Sequence, residues 1–211
     1  YTPNAADISR GKVTLTLTAT FCNTLVSTRS IDLEFVKMPT IDIGPDVTIC
    51  ENSVSYVIPD TGGTSGYSTL AWATTGSPGT FSDTTILTPI YTPSVSDIGV
   101  GSIDITLTVN SGTPCNTILT ATKTITFQKL PVITTVSSAE ICKNENVYDI
   151  SGTTITNSYD VNSVDWTSSG TGEFIASTRG VNNPSYIPSA LDKANGFVNL
   201  TISVTPLGQC S

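Results

Sequence analysis

The sequence predicts an all-β chain of tandem β-sandwich modules, and three observations carry that prediction. First, a Tyr-x-Pro signature occurs three times: Tyr1, Tyr91 and Tyr186 precede Asp7, Asp97 and Asp192 by 6 residues and Gly11, Gly101 and Gly196 by 10. Second, each signature runs into a segment in which apolar residues alternate with Thr, Ser, Asp or Asn, the period of a strand with one buried face. Third, no segment carries a helical period, and turn residues recur every 8 to 15 positions. An internal repeat outranks a domain count drawn from length. Pro39 and Pro131 lie 92 residues apart, Cys50 and Cys142 also 92, Trp72 and Trp166 94. The unit is therefore about 90 residues, large enough to close a modest core of its own.

Composition limits the partners. Charged residues make up 12% of the 211, the formal net charge is -8 and histidine is absent. Duplex nucleic acid and anionic membranes would find no cationic footprint here. No apolar run reaches transmembrane length, so direct membrane insertion is not expected. The chain starts at Tyr1 without an initiator Met or a signal peptide, which we read as a stretch taken from a longer array.

Residues 1–38 read as the back half of a unit. Val13, Leu15, Leu17 and Ala19 form one strand face; after a turn at residues 22–24, Ile31, Leu33 and Phe35 point inward from a second strand. Two strands cannot cover such a face unaided. The strand at residues 30–36 is accordingly a candidate for strand addition to another molecule. Residues 39–130 read as a complete unit. A first strand over 40–50 is kinked at Gly44-Pro45, and further strands follow at 54–58, 68–74, around Phe81, at 85–91, 103–109 and 122–127. Seven short strands with frequent turns are the pattern of an immunoglobulin-like sandwich. Residues 131–211 follow the same order but stop just beyond Cys210, before a last strand. Only Met38-Pro39 and Leu130-Pro131 separate the units, so a stiff array is expected.

Five cysteines fall in repeat register. Pairing within a unit joins Cys50 to Cys115 and Cys142 to Cys210, closing segments of 65 and 68 residues and leaving Cys22 unpaired. Such pairs imply an oxidising compartment. Five buried free thiols are the alternative.

Asp97 and Asp192, like Asp7, follow a small capping residue by three (Ser94, Ser189, Asn4) and precede a glycine by four. That is the chemistry of a one-turn helical crossover, with Tyr91 and Tyr186 as structural partners. Trp72 and Trp166, each followed by glycines and then Phe81 or Phe174, read as core residues; a sugar-stacking platform is the alternative. Calcium at the junctions would need six or more oxygens. The candidate ligands are Asp42, Asp46 and Glu51 at one junction and Glu140 and Glu145 at the other. No cofactor is otherwise indicated. Without histidine there is no His-based triad, and the glycine clusters lack the Lys of a phosphate loop, so no enzyme is predicted.

Tyr91-Thr92-Pro93-Ser94 with Asp97-Ile98, the alternating strand after Gly101, the segment from Trp72 through Gly79 to Phe81, and Ile49-Cys50-Glu51-Asn52 together resemble the immunoglobulin-like or PKD-like repeats of large surface adhesins in gliding Bacteroidota, the SprB-like adhesins in particular. The resemblance covers essentially the whole chain. It implies export to the outside of the outer membrane, a role in adhesion and gliding motility, and a load-bearing spacer function without catalytic residues. The implied partners are neighbouring repeats, surface polysaccharide or the substratum. A glycan- or calcium-binding extracellular module and an accessory domain of a secreted enzyme are the alternatives.

Overall fold

A computed structural model describes residues 1–21, 25–76 and 78–211. The predicted turn at residues 22–24, with the Cys22 assignment, and position 77 lie outside the described residues. The chain opens with α1 (Ala5–Arg10) and the hairpin β1 (Lys12–Phe21) and β2 (Leu25–Glu34). Then come β3 (Val47–Cys50), β4 (Tyr56–Val57), β5 (Thr69–Thr74), β6 (Thr80–Phe81), β7 (Ile90–Thr92), α2 (Val95–Val100), β8 (Ser102–Asn110) and β9 (Ile118–Gln128). The remainder holds β10 (Val132–Thr134), β11 (Tyr148–Asp149), β12 (Thr154–Thr156), β13 (Asp165–Ser168), β14 (Glu173–Phe174), β15 (Ser185–Ile187), α3 (Ala190–Asn195) and β16 (Leu200–Ser203).

The architecture is all-β. Seven strands, β3 to β9, form a sandwich of a four-stranded sheet ordered β3-β9-β8-β5 and a three-stranded sheet ordered β4-β7-β6. β8 is the central strand because its alternation is complete. Ile103, Ile105, Leu107 and Val109 are buried on one face, while Thr106 on the other meets Thr122 of β9 at 3.1 Å. The core joins them to Ile43, Ile58, Leu70, Trp72, Tyr91, Ile125 and Phe127. Residues 131–211 repeat the three-stranded sheet as β11-β15-β14, but the other sheet is reduced to β13-β16 with a separate β10-β12 pair.

Three predicted strands differ in the structure; the one expected over 54–58 keeps only Tyr56–Val57. The strand expected over 40–50 is divided: Thr40 makes an isolated bridge to Ser65, and only β3 enters a ladder, parallel to β9. Gly44, at φ +70°, redirects the chain between them. The strand expected over 85–91 is shortened to β7, because the Asp83 carboxylate accepts both the Thr85 amide and hydroxyl at 2.7 Å and folds that segment into a turn. In β1–β2, Leu17 and Ile31 are exposed, and among the described residues β2 pairs with β1 only.

Candidate functional site

Two constructions set what the chain can do: a buried aspartate knot that occurs three times, and a disulfide that joins Cys50 to Cys210. The knot follows from sequence spacing. Asn4, Ser94 and Ser189 are the N-caps of α1, α2 and α3, each accepting from the backbone N–H three residues on, and Asp7, Asp97 and Asp192 reach back to the cap's own N–H. These are complete capping boxes. Gly11, Gly101 and Gly196 end the helices in the left-handed conformation, which a glycine adopts without steric cost. The tyrosine six residues earlier donates its hydroxyl to the same carboxylate: Tyr1 to Asp7, Tyr91 to Asp97 at 2.9 Å and Tyr186 to Asp192 at 2.8 Å.

The glycine-rich turn after each tryptophan strand closes the knot. The amides of Thr171 and Gly172 donate to Asp192 at 2.9 Å. In the middle copy a Cβ added to Gly79 would stand 2.1 Å from the Tyr91 hydroxyl and 2.5 Å from an Asp97 oxygen, so no side chain fits. The Ser189, Thr171 and Gly172 amides and the Tyr186 hydroxyl hold the Asp192 carboxyl well below the usual carboxylate range, the Ser189 amide most strongly. The Tyr1 hydroxyl and then the Asn4 amide lower the Asp7 carboxyl from its ordinary value. Burial is the main cause that pushes the Tyr186 hydroxyl up.

The pH dependence has a definite sign. Where the folded-state value is depressed, the unfolded chain takes up protons first as pH falls. The stability contributed by Asp7 and Asp192 is therefore complete above about pH 4, the ordinary aspartate value, and drains away below it. Thermal melts between pH 7 and pH 2 should hold level to about pH 4 and then fall. An Asp192→Asn variant should start lower and fall less.

The joint is a disulfide between Cys50, at the end of β3, and Cys210, 160 residues later. The Gln128 side chain reinforces it: its Nε2 donates to the Leu207 carbonyl, and its Oε1 accepts the Gln209 amide at 3.0 Å. Gly208 belongs to this latch, having φ +67° and only 2.5 Å between an added Cβ and Gln128 Oε1. Glu51 accepts the Leu130 amide at 2.8 Å, and Asn157 donates to the Leu130 carbonyl at 2.7 Å, fastening the connecting segment from both sides.

This overturns the pairing within units. Cys115 and Cys142 are free thiols. The physical reason is the direction of β3, which runs parallel to β9 with Cys50 opposite Gln128. Cys115 precedes the first residue of this 11-residue strand. At about 3.3 Å per residue, Cys50 and Cys115 are held at opposite ends of the sheet, about 30 Å apart. A disulfide needs Cα atoms within about 7 Å. Cys50 and Cys210 meet that requirement with 4.9 Å.

The remaining candidates have structural surroundings. Trp72 and Trp166 are buried, with their indole N–H groups donated to the carbonyls of Ile86 at 3.1 Å and Asn182 at 3.2 Å. Asp42 accepts the Gly44 amide and Asp46 the Thr124 amide. Glu140 and Glu145 are exposed. The five carboxylates do not converge: among the described residues no group of three or more His, Cys, Asp or Glu is placed to hold a metal ion. One buried charge was missed from the sequence. Lys123 occupies an inward position of β9, 3% exposed, donating to the Ile43 carbonyl and the Tyr56 hydroxyl at 3.1 Å each. Its signal was a lysine in phase with Ile125 and Phe127.

An open groove of about 560 Å³ lies beside residues 196–200, with Trp166, Tyr186 and Ile150 among its lining and residues 135–143 along one wall. In the middle sandwich, β9 occupies the corresponding place between β3 and β8.

No family model and no curated protein matches the chain. Among solved structures, a PKD domain from the KIAA 1837 protein is similar at 17% identity and TM-score 0.34, covering 42% of this chain and 84% of that one. The protocadherin γB4 extracellular domain gives 14% identity and TM-score 0.48 over 96% of this chain and 38% of that one. Domains 1–3 of protocadherin γC5 give 9% and 0.47 over 93% and 78%. The chain thus spans well under half of the γB4 structure. Its own sheets define it as an all-β chain built on an immunoglobulin-like β-sandwich. Among the described residues no helix is long and apolar enough to cross a membrane.

Proposed function

We propose that the chain is a load-bearing segment of an extracellular adhesion-type protein, with units at 1–38, 39–130 and 131–211 and a disulfide clip joining one unit to the next. The observation that supports it is the Cys50–Cys210 bond with its Gln128 latch, which ties the far end of the middle sandwich to a loop near the end of the chain. A bond within one unit protects that unit; a bond between units carries tension across the junction that a proline linker would otherwise carry alone. A disulfide of this kind belongs to an oxidising, extracellular setting. The repeat motifs described above favour the bacterial cell surface and a gliding-motility adhesin, with neighbouring repeats, polysaccharide or the substratum as partners.

The second reading is a calcium- or glycan-binding extracellular module. It draws on the acidic composition, a formal net charge of -8, rather than on Asp42, Asp46 and Glu51, which have separate backbone partners. Small-angle X-ray scattering separates the two. For a clipped spacer, the profile is unchanged by calcium or a chelator, and reductant loosens the 39–130 and 131–211 units relative to each other. A profile that loosens on chelation and is indifferent to reductant would overturn the spacer reading in favour of calcium.

A further inference from the structure

The knot at α3 carries a dipeptide that the other two lack. Of the 13 asparagines in the chain, Asn195 alone is followed by glycine. It is the last residue of α3, and Gly196 is the left-handed cap, with φ +88° and its amide donated to the Asp192 carbonyl at 3.0 Å. Arg10 and Val100 hold the same position in α1 and α2. The cap selects glycine for its backbone freedom. The same choice gives Asn195 the least hindered main-chain nitrogen that can follow an asparagine. Exposure belongs to the helix position itself: Val100 is 76% exposed although all seven strands of its sandwich are in place, and the Arg10 side chain is 66% exposed. Asn195 is exposed in the same way.

We infer that Asn195 is a self-modification site, whose side-chain amide is displaced by the Gly196 nitrogen and then replaced by water, and that the product loosens the Asp192 knot. The Gly196 nitrogen bonds to Asn195 Cγ, the bond from Cγ to Nδ2 breaks, and ammonia leaves with the Gly196 amide proton, closing a cyclic imide. Water then opens the ring at either carbonyl, giving aspartate or isoaspartate. One water is consumed and one ammonia released, with no change in oxidation state. The capped helix opposes the first step, because the Gly196 amide is engaged with Asp192 and helical backbone directs it along the helix axis, away from the Asn195 side chain. Reaction therefore passes through local opening of the last turn of α3, a helix of only six residues.

Both products place a carboxylate at the C-terminal end of α3. The helix dipole favours a cation there, and the first copy supplies one, Arg10, paired with Asp7 at 2.8 Å. Isoaspartate also adds a methylene to the main chain ahead of Gly196, taking its amide out of register with the Asp192 carbonyl. Asp192 is where the Tyr186 hydroxyl and the Thr171 and Gly172 amides converge, so the disturbance reaches the whole third knot. The other two knots are untouched, because Arg10 and Val100 have no side-chain amide to lose.

In the test, the full chain is held folded at mildly alkaline pH, sampled over weeks and mapped by peptide mass, with isoaspartate marked by an isoaspartyl methyltransferase. The expected result is conversion at Asn195 ahead of every other asparagine, with isoaspartate among the products. Ser189→Ala, which removes the cap of α3, speeds conversion by about fivefold. Ser94→Ala, which removes the matching cap of α2, leaves the rate unchanged. The converted protein unfolds at lower denaturant, and Asn195→Gln carried through the same incubation shows no shift. Three results would overturn the inference: Asn195 intact in the folded chain while a peptide of residues 188–200 converts alongside, a rate indifferent to Ser189→Ala, or converted protein with an unshifted unfolding curve.

Discussion

Cys210→Ser, or reduction of the native protein, is expected to split unfolding into two transitions and to lower the stability of residues 131–211 by about 4–5 kcal/mol. The figure is the loop-closure entropy of a cross-link spanning 80 to 160 residues in the chain-entropy model. The shorter length applies when the 39–130 sandwich remains folded while the rest unfolds, the longer when both unfold. Either way the bond acts between units, so its loss uncouples them as well as weakening one. The measurement is denaturant unfolding followed by fluorescence, since Trp72 and Trp166 report on one unit each. Cys50→Ser should give the same curve as Cys210→Ser. If the 39–130 unit alone weakened, or if the two tryptophans still reported one transition, the bond would not be acting as a joint.

Trp72→Ala is expected to cost about 3–5 kcal/mol, the range for deleting a large buried aromatic side chain. The ring is 3% exposed, packs 5.9 Å from Phe81 between centroids and satisfies its N–H on the Ile86 carbonyl. Phe81 in turn packs against Tyr91 at 5.2 Å, so the cavity opens beside the Asp97 knot. Trp72→Phe should recover part of the loss. A sugar-stacking platform would predict the opposite, a protein of unchanged stability that has lost only a ligand, and equilibrium denaturation distinguishes the two. The substitution should leave the Cys50–Cys210 bond in place, because β5 and β3 lie at opposite edges of the four-stranded sheet.

How much the chain discloses depends on how far apart the interacting residues are. The aspartate knots are local: tyrosine, cap, aspartate and glycine lie within eleven consecutive positions, so their spacing already specifies the one-turn helix and its αL exit. The alternation of β8 likewise marks its buried face, because a period of two is a property of the segment itself. Gly79 and Gly172 read only as turn residues. Their need to be glycine comes from atoms supplied some 12 to 20 positions later: Tyr91 and Asp97 crowd Gly79, and Ile187, Tyr186 and Asp192 crowd Gly172.

The cysteines mark the limit most clearly. Repeat register places them at equivalent points, and from the sequence alone a bond within each unit is as consistent as a bond between units. The choice is made by strand direction. β3 leaves the kink at Gly44-Pro45 and joins the sheet parallel to β9, which carries Cys50 to the end facing the next unit and away from Cys115. Parallel and antiparallel neighbours require the same alternating pattern, so no periodicity distinguishes them. The sequence by itself determined the repeat, the strand faces, the knots and the absence of histidine chemistry. The tertiary structure alone decided which cysteines meet, that Gln128 and Gly208 latch the joint, and that Lys123 is buried, because each depends on residues some 80 or more positions apart being brought within a few ångströms.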